Sequence, residues 1–252
     1  MSTGNFTWFD LMTTDVASAR AFYTALFGWE TREFDFAPGY PIIHVAGIGI
    51  GGIAQKPAGD PSPSHWLSVL TTDDLDGTLA RLQELGGRVY APPMAIPNVG
   101  RYAVVADPQG AAFCLLQHEN EQPKPTFPKG AANIGWAELQ TTDSKGALAF
   151  YTTLLGWPVQ NWEMPGAGTY YLVGHAHNAG IMDMPPGTPP ELPPHWLVYV
   201  DVQNTDATAT KVKELGGAVL HGPDDIPGVG RFAVFADPTG AVFAVMQSAP
   251  RE

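Results

Sequence analysis

An internal repeat is the feature that most constrains this chain. The segment at 100–117, GRYAVVADPQGAAFCLLQ, returns 130 residues later as GRFAVFADPTGAVFAVMQ, with eleven of eighteen positions identical. Apolar residues alternate up to Ala106, Asp-Pro-Gln-Gly supplies a turn, and a second apolar run follows, so the segment predicts a β-hairpin. Its return indicates that the 252-residue chain contains two modules of similar length.

A second repeat marks the beginning of each module. TTDVASARAFYTALFGW at 13–29 corresponds to TTDSKGALAFYTTLLGW at 141–157. Apolar residues at helical spacing predict a helix that Thr14 or Asp15 caps and that ends at Gly28. Residues 5–13 alternate in polarity before it and predict a strand.

The rest of each module predicts strands, a helix and the hairpin. Apolar segments between glycines and prolines predict strands at 40–46, 51–54, 170–174 and 180–183. A proline-rich loop then leads into His-Trp-Leu, at His65 and His195, which begins a further strand, and a helix ending in Leu-Gly-Gly precedes the hairpin. The polar, proline-containing segment 119–133 is the predicted linker between modules at 1–118 and 134–252.

Composition excludes several kinds of partner. The net charge of −12 leaves no basic face for a nucleic acid or an anionic membrane. Cys114, the single cysteine, excludes an intramolecular disulfide and a thiolate zinc cluster and fits a reducing compartment. Because the sequence has neither a signal-peptide pattern nor a bilayer-spanning run, we expect a cytoplasmic protein. We also expect a monomer or a homodimer.

The order of these segments resembles the vicinal oxygen chelate superfamily, which includes glyoxalases, bleomycin-resistance proteins and extradiol dioxygenases. The resemblance covers nearly the whole chain. Within the superfamily, DPQGAAF and DPTGAVF, each with a trailing Gln, resemble two-module glyoxalase-like proteins of actinobacteria that are often labelled hydroxylases. The resemblance implies an α+β fold of tandem modules, each made of paired βαβββ-type units whose curved mixed sheets form a cup for a ligand.

The resemblance also implies where a metal would be bound. Members that use a metal usually place a His or Glu on the first strand, a His after the loop and a Glu on the last strand. The corresponding residues here are Trp8 and Trp136, His65 and His195, and Cys114 and Ala244. Because a catalytic divalent site generally needs three protein ligands, we expect no cofactor. A reduced divalent-metal site that uses His65 or His195 is the alternative.

The candidate catalytic residues are two histidines and two carboxylates, namely His65, His195, Asp10 and Glu138. Each histidine is interpreted either as an imidazole tied to a backbone carbonyl or as a polar contact or general base in the cup. Each carboxylate shares a strand face with the Trp two residues before it. It is either a pocket acid or base with a raised pKa or the ion-pair partner of Arg101 or Arg231.

Aromatic residues on the predicted strands are the candidate ligand-binding groups. They are Trp8, Trp136, Trp66, Trp196, Phe113 and Phe243, together with Cys114. Indoles in place of metal ligands remove coordination chemistry and add a flat surface that suits a planar organic ligand. The glycine-rich run at 47–52, GIGIGG, precedes no helix, so a dinucleotide site is rejected.

Two functions remain open from the sequence. The first is metal-independent binding of a small aromatic or apolar metabolite, by sequestration or carriage. The second is an enzyme of the same superfamily, a lyase, isomerase or oxygenase, that uses the candidate histidines and carboxylates or a reduced metal site.

Overall fold

The computed structural model describes residues 3–34, 37–120, 125–128, 130–164 and 168–249, and these form four successive βαβββ units. The first unit consists of β1 (Phe6–Thr13), α1 (Val16–Phe27), β2 (Glu30–Phe34), β3 (Ala37–Val45) and β4 (Ile48–Gln55). The second consists of β5 (His65–Thr71), α2 (Leu75–Glu84), β6 (Arg88–Ile96), β7 (Gly100–Ala106) and β8 (Ala112–His118).

The second module repeats this order. Its first unit consists of β9 (Ile134–Thr141), α3 (Ser144–Leu155), β10 (Val159–Met164), β11 (Gly168–Val173) and β12 (Ala179–Asp183). Its second unit consists of β13 (His195–Asp201), α4 (Thr205–Glu214), β14 (Ala218–Ile226), β15 (Gly230–Ala236) and β16 (Val242–Ser248).

The strands of each module form one mixed eight-stranded sheet. The order is β2-β3-β4-β1-β5-β8-β7-β6 in the first module and β10-β11-β12-β9-β13-β16-β15-β14 in the second. β1 pairs with β4 and β5 with β8 in parallel, while the hairpins are antiparallel. Both His-Trp-Leu segments begin a strand, as predicted. The predicted α+β fold of tandem modules with paired βαβββ units is confirmed.

The helices begin and end where their sequences predict. The Asp15 side chain caps α1, and Gly28 ends it with a φ of 71°, in the left-handed region that favours glycine. Asp143 and Gly156 do the same for α3. Within the described ranges, no helix is long and apolar enough to cross a membrane. The cytoplasmic location stays a prediction.

Packing groups the chain into two compact units that combine parts of both modules. Unit one contains Met1–Thr7, Leu67–Lys124 and Trp136–Leu197, and unit two contains Trp8–Trp66, Pro125–Gly135 and Val198–Glu252. The sheets follow the predicted modules, whereas the compact units do not, so the module boundaries stay a prediction. The predicted linker includes residues 121–124 and 129, which lie outside the described residues.

An aromatic cluster forms the core of unit two. Tyr23 of α1 stacks on Trp29, with ring centroids 5.5 Å apart, and meets Trp66 and Phe243 edge-on, each at 5.4 Å. The Trp66 indole Nε1 donates a hydrogen bond to the Tyr23 hydroxyl at 3.3 Å. Packed aromatic rings and a buried hydrogen bond therefore join strand β5 to helix α1.

Unit one has a matching cluster. Tyr151 of α3 stacks on Trp157 at 5.5 Å and contacts Trp196 and Phe113 at 5.3 and 5.5 Å. Its hydroxyl donates to the Asp107 carboxylate at 3.2 Å. Asp107 also accepts the backbone N–H groups of its own turn, as its place in the Asp-Pro-Gln-Gly sequence predicts.

Four strands escaped prediction, and each lies at the end of its sheet. β2 and β10 follow the first helix of each module, and β6 and β14 follow the second. β2 is mostly exposed and has no clear alternation of buried and exposed residues. β6 contains Pro92 and Pro93, where its register with β7 shifts. Proline is tolerated at an edge or a bulge because no neighbouring strand needs its N–H group.

Candidate functional site

A carboxyl group and an indole of the first strand, β1, meet a phenol from β3 in the first module. Asp10 Oδ1 accepts hydrogen bonds from the Trp8 Nε1–H, at 3.0 Å, and from the Tyr40 hydroxyl. The Trp8 Nε1 also lies 2.9 Å from the Tyr40 hydroxyl oxygen. We call Trp8, Asp10 and Tyr40 the first cluster. All three residues belong to unit two.

Glycines of β4 make room for the aromatic rings of the first cluster. Gly52 is the register partner of Asp10, and a Cβ at Gly52 would overlap the Tyr40 ring. A Cβ at Gly49 would lie 3.3 Å from the Trp8 ring. The rings therefore lie against glycines of β4, which gives the glycines at 49 and 52 a steric reason.

Burial changes the acidity of the first cluster. Desolvation raises the pKa of Asp10 to about 6, and the hydrogen bonds from Tyr40 and Trp8 oppose that rise. Asp10 is half-buried as a residue, and its carboxyl group is desolvated. A carboxyl group with this pKa can accept or release a proton near neutral pH.

The second module carries an equivalent cluster of Trp136, Glu138 and Tyr170, all in unit one. We call these residues the second cluster. The Tyr170 hydroxyl donates to Glu138 Oε2 at 2.8 Å, and the Trp136 Nε1–H donates to the Tyr170 hydroxyl at 3.1 Å. Gly180 is the register partner of Glu138, and a Cβ there would overlap the Tyr170 ring.

The second cluster differs from the first in one partner and in burial. Gln140 Nε2 donates a further hydrogen bond to Glu138 Oε1 at 2.9 Å. Glu138 is 7% exposed and Tyr170 is 6% exposed, whereas Asp10 and Tyr40 are half-buried. The second cluster is therefore closed from solvent to a greater extent than the first.

The alternative role for the two carboxylates, pairing with arginine, is wrong. Arg101 forms a two-point ion pair with Asp76, at 2.8 and 3.0 Å. Arg231 pairs in the same way with Asp206 and also reaches Asp225 at 3.1 Å. Both arginines therefore pair with exposed aspartates at the ends of helices and strands. The sequence alone does not show which acidic residues lie close to each arginine.

The two candidate histidines lie at the heads of β5 and β13. His65 Nδ1 is 2.8 Å from the Pro63 carbonyl oxygen, and His195 Nδ1 is 2.9 Å from the Pro193 carbonyl oxygen. With Nδ1 as the donor, each Nε2 is left as the unprotonated nitrogen. This tether agrees with the first of the two interpretations. A role of either histidine in a site stays a prediction.

Four of the predicted ligand-binding aromatics lie in the packed cores. Trp66 and Phe243 surround Tyr23, and Trp196 and Phe113 surround Tyr151. All four are at most 5% exposed. Their placement argues against a ligand-binding role, because period-two alternation puts them on the helix side of the sheet. Cys114 is buried on β8, and its predicted role stays a prediction.

The residues present do not fit the divalent site that the resemblance implies. Among the described residues, no group of three or more His, Cys, Asp or Glu side chains is arranged to hold a metal ion. At the first-strand position, the Trp8 indole is a donor and already bonds Asp10 and Tyr40. An indole N–H group cannot replace an imidazole or carboxylate ligand.

One pocket lies away from both clusters. It has a volume of about 180 Å³ and contains none of the predicted site residues. Its lining is polar and comes from Thr71, Thr72, Asp73, Gln117, His118, Glu119 and Asn120.

Sequence reasoning missed the phenols and the glycines that complete the clusters. Tyr40 and Tyr170 occur at matching places in the two modules, and Gly52 and Gly180 stand opposite the two carboxylates. The sequence shows a Tyr, a Gly and an acidic residue that recur at matching places in the two modules. It does not show the strand register that brings these residues together.

Comparison with known proteins places the chain in a family. The sequence model of the Glyoxalase/Bleomycin resistance protein/Dioxygenase superfamily matches residues 5–115 and 133–245. The chain belongs to this superfamily. It is 37% identical over 252 residues to the glyoxylase-type protein CFP32 of Mycobacterium tuberculosis (strain CDC 1551 / Oshkosh), covering 97% of this chain and 95% of the relative.

Two further proteins are similar to this chain over most of its length. The anthracycline biosynthesis protein DauV of Streptomyces sp. (strain C5) is 35% identical over 259 residues, covering 95% of this chain and 92% of the relative. The Mn(II)-bound glyoxalase of Novosphingobium aromaticivorans superposes with a TM-score of 0.69 at 18% identity, covering 98% of this chain and 82% of that one. At that identity the likeness concerns the fold alone.

Proposed function

We propose that this superfamily member binds a small aromatic metabolite at the first cluster without a divalent metal. The observation that carries the proposal is the hydrogen-bonded group of Trp8, Asp10 and Tyr40, in which Trp8 stands at the first-strand position where metal-using members place a ligand. The group combines an indole and a carboxyl group, both on half-buried residues. Such a surface suits stacking on a flat ring that also carries a polar substituent.

The relatives support this class of ligand. DauV is named for anthracycline biosynthesis. The net charge of −12 favours a small molecule over a nucleic acid as partner. A monomer or homodimer remains our expectation.

Calorimetric titration with 2-naphthol, a planar phenol, tests the proposal. We expect saturable binding that is unchanged in EDTA and that Trp8→Ala weakens about three- to tenfold, because one aromatic pair contributes about 0.5–1.5 kcal/mol beyond burial. Trp66→Phe, a change in the packed core, is the matched control and should retain affinity in the folded protein. Binding that disappears in EDTA and returns with added metal would overturn the proposal.

Proton transfer by Asp10 is the second candidate, and the pKa of about 6 favours it. In this function the carboxylate takes a proton from an acidic C–H group of a ketone, an enolate forms, and a solvent proton returns to the carbon. The probe is 2-tetralone in deuterated water, followed by proton NMR. An enzyme accelerates deuterium uptake, and Asp10→Asn slows it by about 10²-fold with affinity retained. A carrier leaves the exchange rate at its value in buffer.

A further inference from the structure

The two clusters differ at the next residue on the same strand face. Two positions beyond the carboxylate, the second module has Gln140 and the first module has Met12. Side chains two apart on a strand point to the same face. Gln140 uses this position to donate to Glu138 Oε1 at 2.9 Å, whereas the thioether of Met12 has no hydrogen to donate.

The difference leaves one oxygen of Asp10 open. Among the hydrogen bonds of the residues that the structure describes, those to Asp10 end on Oδ1 and none ends on Oδ2. Glu138, by contrast, accepts from Tyr170 on Oε2 and from Gln140 on Oε1. Asp10 is also half-buried, while Glu138 is 7% exposed. The first cluster therefore has an acceptor oxygen without a donor among the described residues, where the second has a filled one.

We propose that the ligand donates to Asp10 Oδ2 the hydrogen bond that Gln140 donates to Glu138. The ligand class is then an aromatic ring with a phenolic or enolic hydroxyl group, and the first cluster alone binds it. Gln140 acts as a built-in substitute for that hydroxyl in the second module. The inference rests on the proposed binding of an aromatic metabolite and adds the substituent and the module to it.

The chemistry of the two partners supports this assignment. A carboxylate is an acceptor on both oxygens, so a hydroxyl donor satisfies Oδ2 and a methoxy group at the same place cannot. Hydrogen bonds to charged groups are among the stronger ones, and the loss of one weakens binding by about tenfold or more. Discrimination between a hydroxyl and a methoxy group is thus large enough to measure by calorimetry.

The experiment titrates the full chain with 2-naphthol and with 2-methoxynaphthalene, which keeps the ring and lacks the donor. We expect wild type to bind 2-naphthol at least about tenfold more tightly, with one site per chain. In Met12→Gln, the introduced amide should donate a hydrogen bond to Asp10 Oδ2, and the preference for 2-naphthol should disappear. Met12→Leu, which lacks a donor and has a similar volume, should keep it. Gln140→Met should leave the affinity for 2-naphthol unchanged.

Each outcome has a defined meaning. If wild type binds neither probe, the proposed function itself fails. If wild type binds both probes equally, aromatic binding stands and the hydroxyl assignment is overturned. If Gln140→Met weakens 2-naphthol as Met12→Gln was expected to do, the assignment to the first module is overturned. Circular dichroism confirms that each variant is folded, and the wild-type probe pair decides the hydroxyl question without any variant.

Discussion

Asp10 and Glu138 occupy the same position in the two modules, and each accepts a hydrogen bond from a tyrosine whose ring lies over a glycine. Their surroundings then diverge. Asp10 is half-buried, and its pKa is raised to about 6, while Glu138 is 7% exposed and receives a further donor from Gln140. Duplication has kept the steric frame of the cluster and changed its polar neighbours.

This difference distinguishes the residues that the packing of the fold requires from the residues that set the chemistry of a ligand site. The glycine and the tyrosine recur together because the tyrosine ring lies where a side chain of the neighbouring strand would otherwise be. The residue two positions past the carboxylate lies on the same strand face, and in the second module Gln140 donates to the carboxylate from this position. Variation at Met12 and Gln140 can therefore change the chemistry of a cluster without changing its packing.

Alanine at Gly180 should have the largest effect on stability. The added Cβ would overlap the Tyr170 ring, which is 6% exposed and has little room to move. We expect Gly180→Ala to lower the free energy of unfolding by about 3 kcal/mol and Gly52→Ala by about 1 kcal/mol, because the half-buried Tyr40 can shift outward. Urea denaturation measures both.

A double variant checks the cause. In a Tyr40→Ala background, Gly52→Ala should cost almost nothing, since the ring that it would meet is gone. An undiminished cost there, or equal costs at the two glycines of the wild type, would contradict the steric comparison.

The next largest difference in stability between the two clusters is expected when each carboxylate is removed. Glu138→Ala leaves the Tyr170 hydroxyl and the Gln140 amide without their acceptor in a buried place. Asp10→Ala removes a carboxyl group that is costly to bury. We expect Glu138→Ala to lower the free energy of unfolding by about 2 kcal/mol more than Asp10→Ala, as measured by urea denaturation at neutral pH. Equal losses of unfolding free energy in the two variants would contradict the claim that the two carboxylates have different surroundings.

The raised pKa of Asp10 predicts a pH effect of known sign. The folded state holds a proton on Asp10 up to about pH 6, while the unfolded state loses it near 3.8. Stability should therefore increase as the pH falls from 7.5 to 5.0, and the contribution of Asp10 over that range is about 1.4 kcal/mol. The measurement is the difference between wild type and Asp10→Asn, in which other titrating groups cancel. A difference that does not change with pH would refute the raised pKa.

The smallest expected effect concerns the phenol. Tyr40→Phe removes a hydrogen bond that favours the ionised form of Asp10, so the pKa of Asp10 should rise further. Carbon-13 NMR of the labelled carboxyl group follows the titration directly. Tyr23→Phe, at the core position in the same unit, is the control and should leave the Asp10 titration in place. A lower pKa in Tyr40→Phe would mean that the bond is not formed.

Much of the fold could be predicted because its strongest elements repeat. The hairpin that ends each module and the helix that Asp15 begins follow from turn residues, caps and apolar spacing, which act locally. β2 could not be predicted because this exposed edge strand has no alternation of apolar and polar residues. β6 could not be predicted because its prolines, which lie at a bulge, resemble those of a loop. The packing of α1 on Phe243 also depends on contacts between distant parts of the sequence.

The candidate site was predicted in part. The shared face of Trp8 and Asp10 follows from strand alternation, and the raised pKa of Asp10 was one of two alternatives. Its partner Tyr40 depends on the register of β3 and β4, which composition does not determine. The ligand-binding role of Trp66 stays a prediction; the structure packs its ring against Tyr23, and aromatic residues on a strand serve a core and a pocket equally well.

The most direct test of metal-independent binding at the first cluster is the indole N–H spectrum of nitrogen-15-labelled protein during titration with 2-naphthol in EDTA. The Trp8 and Trp136 signals are assigned from Trp8→Phe and Trp136→Phe. The account predicts that the Trp8 signal shifts progressively to saturation and that the Trp136 signal stays in place. Equal movement of both signals, or movement that begins only when Zn²⁺ replaces EDTA, would contradict it.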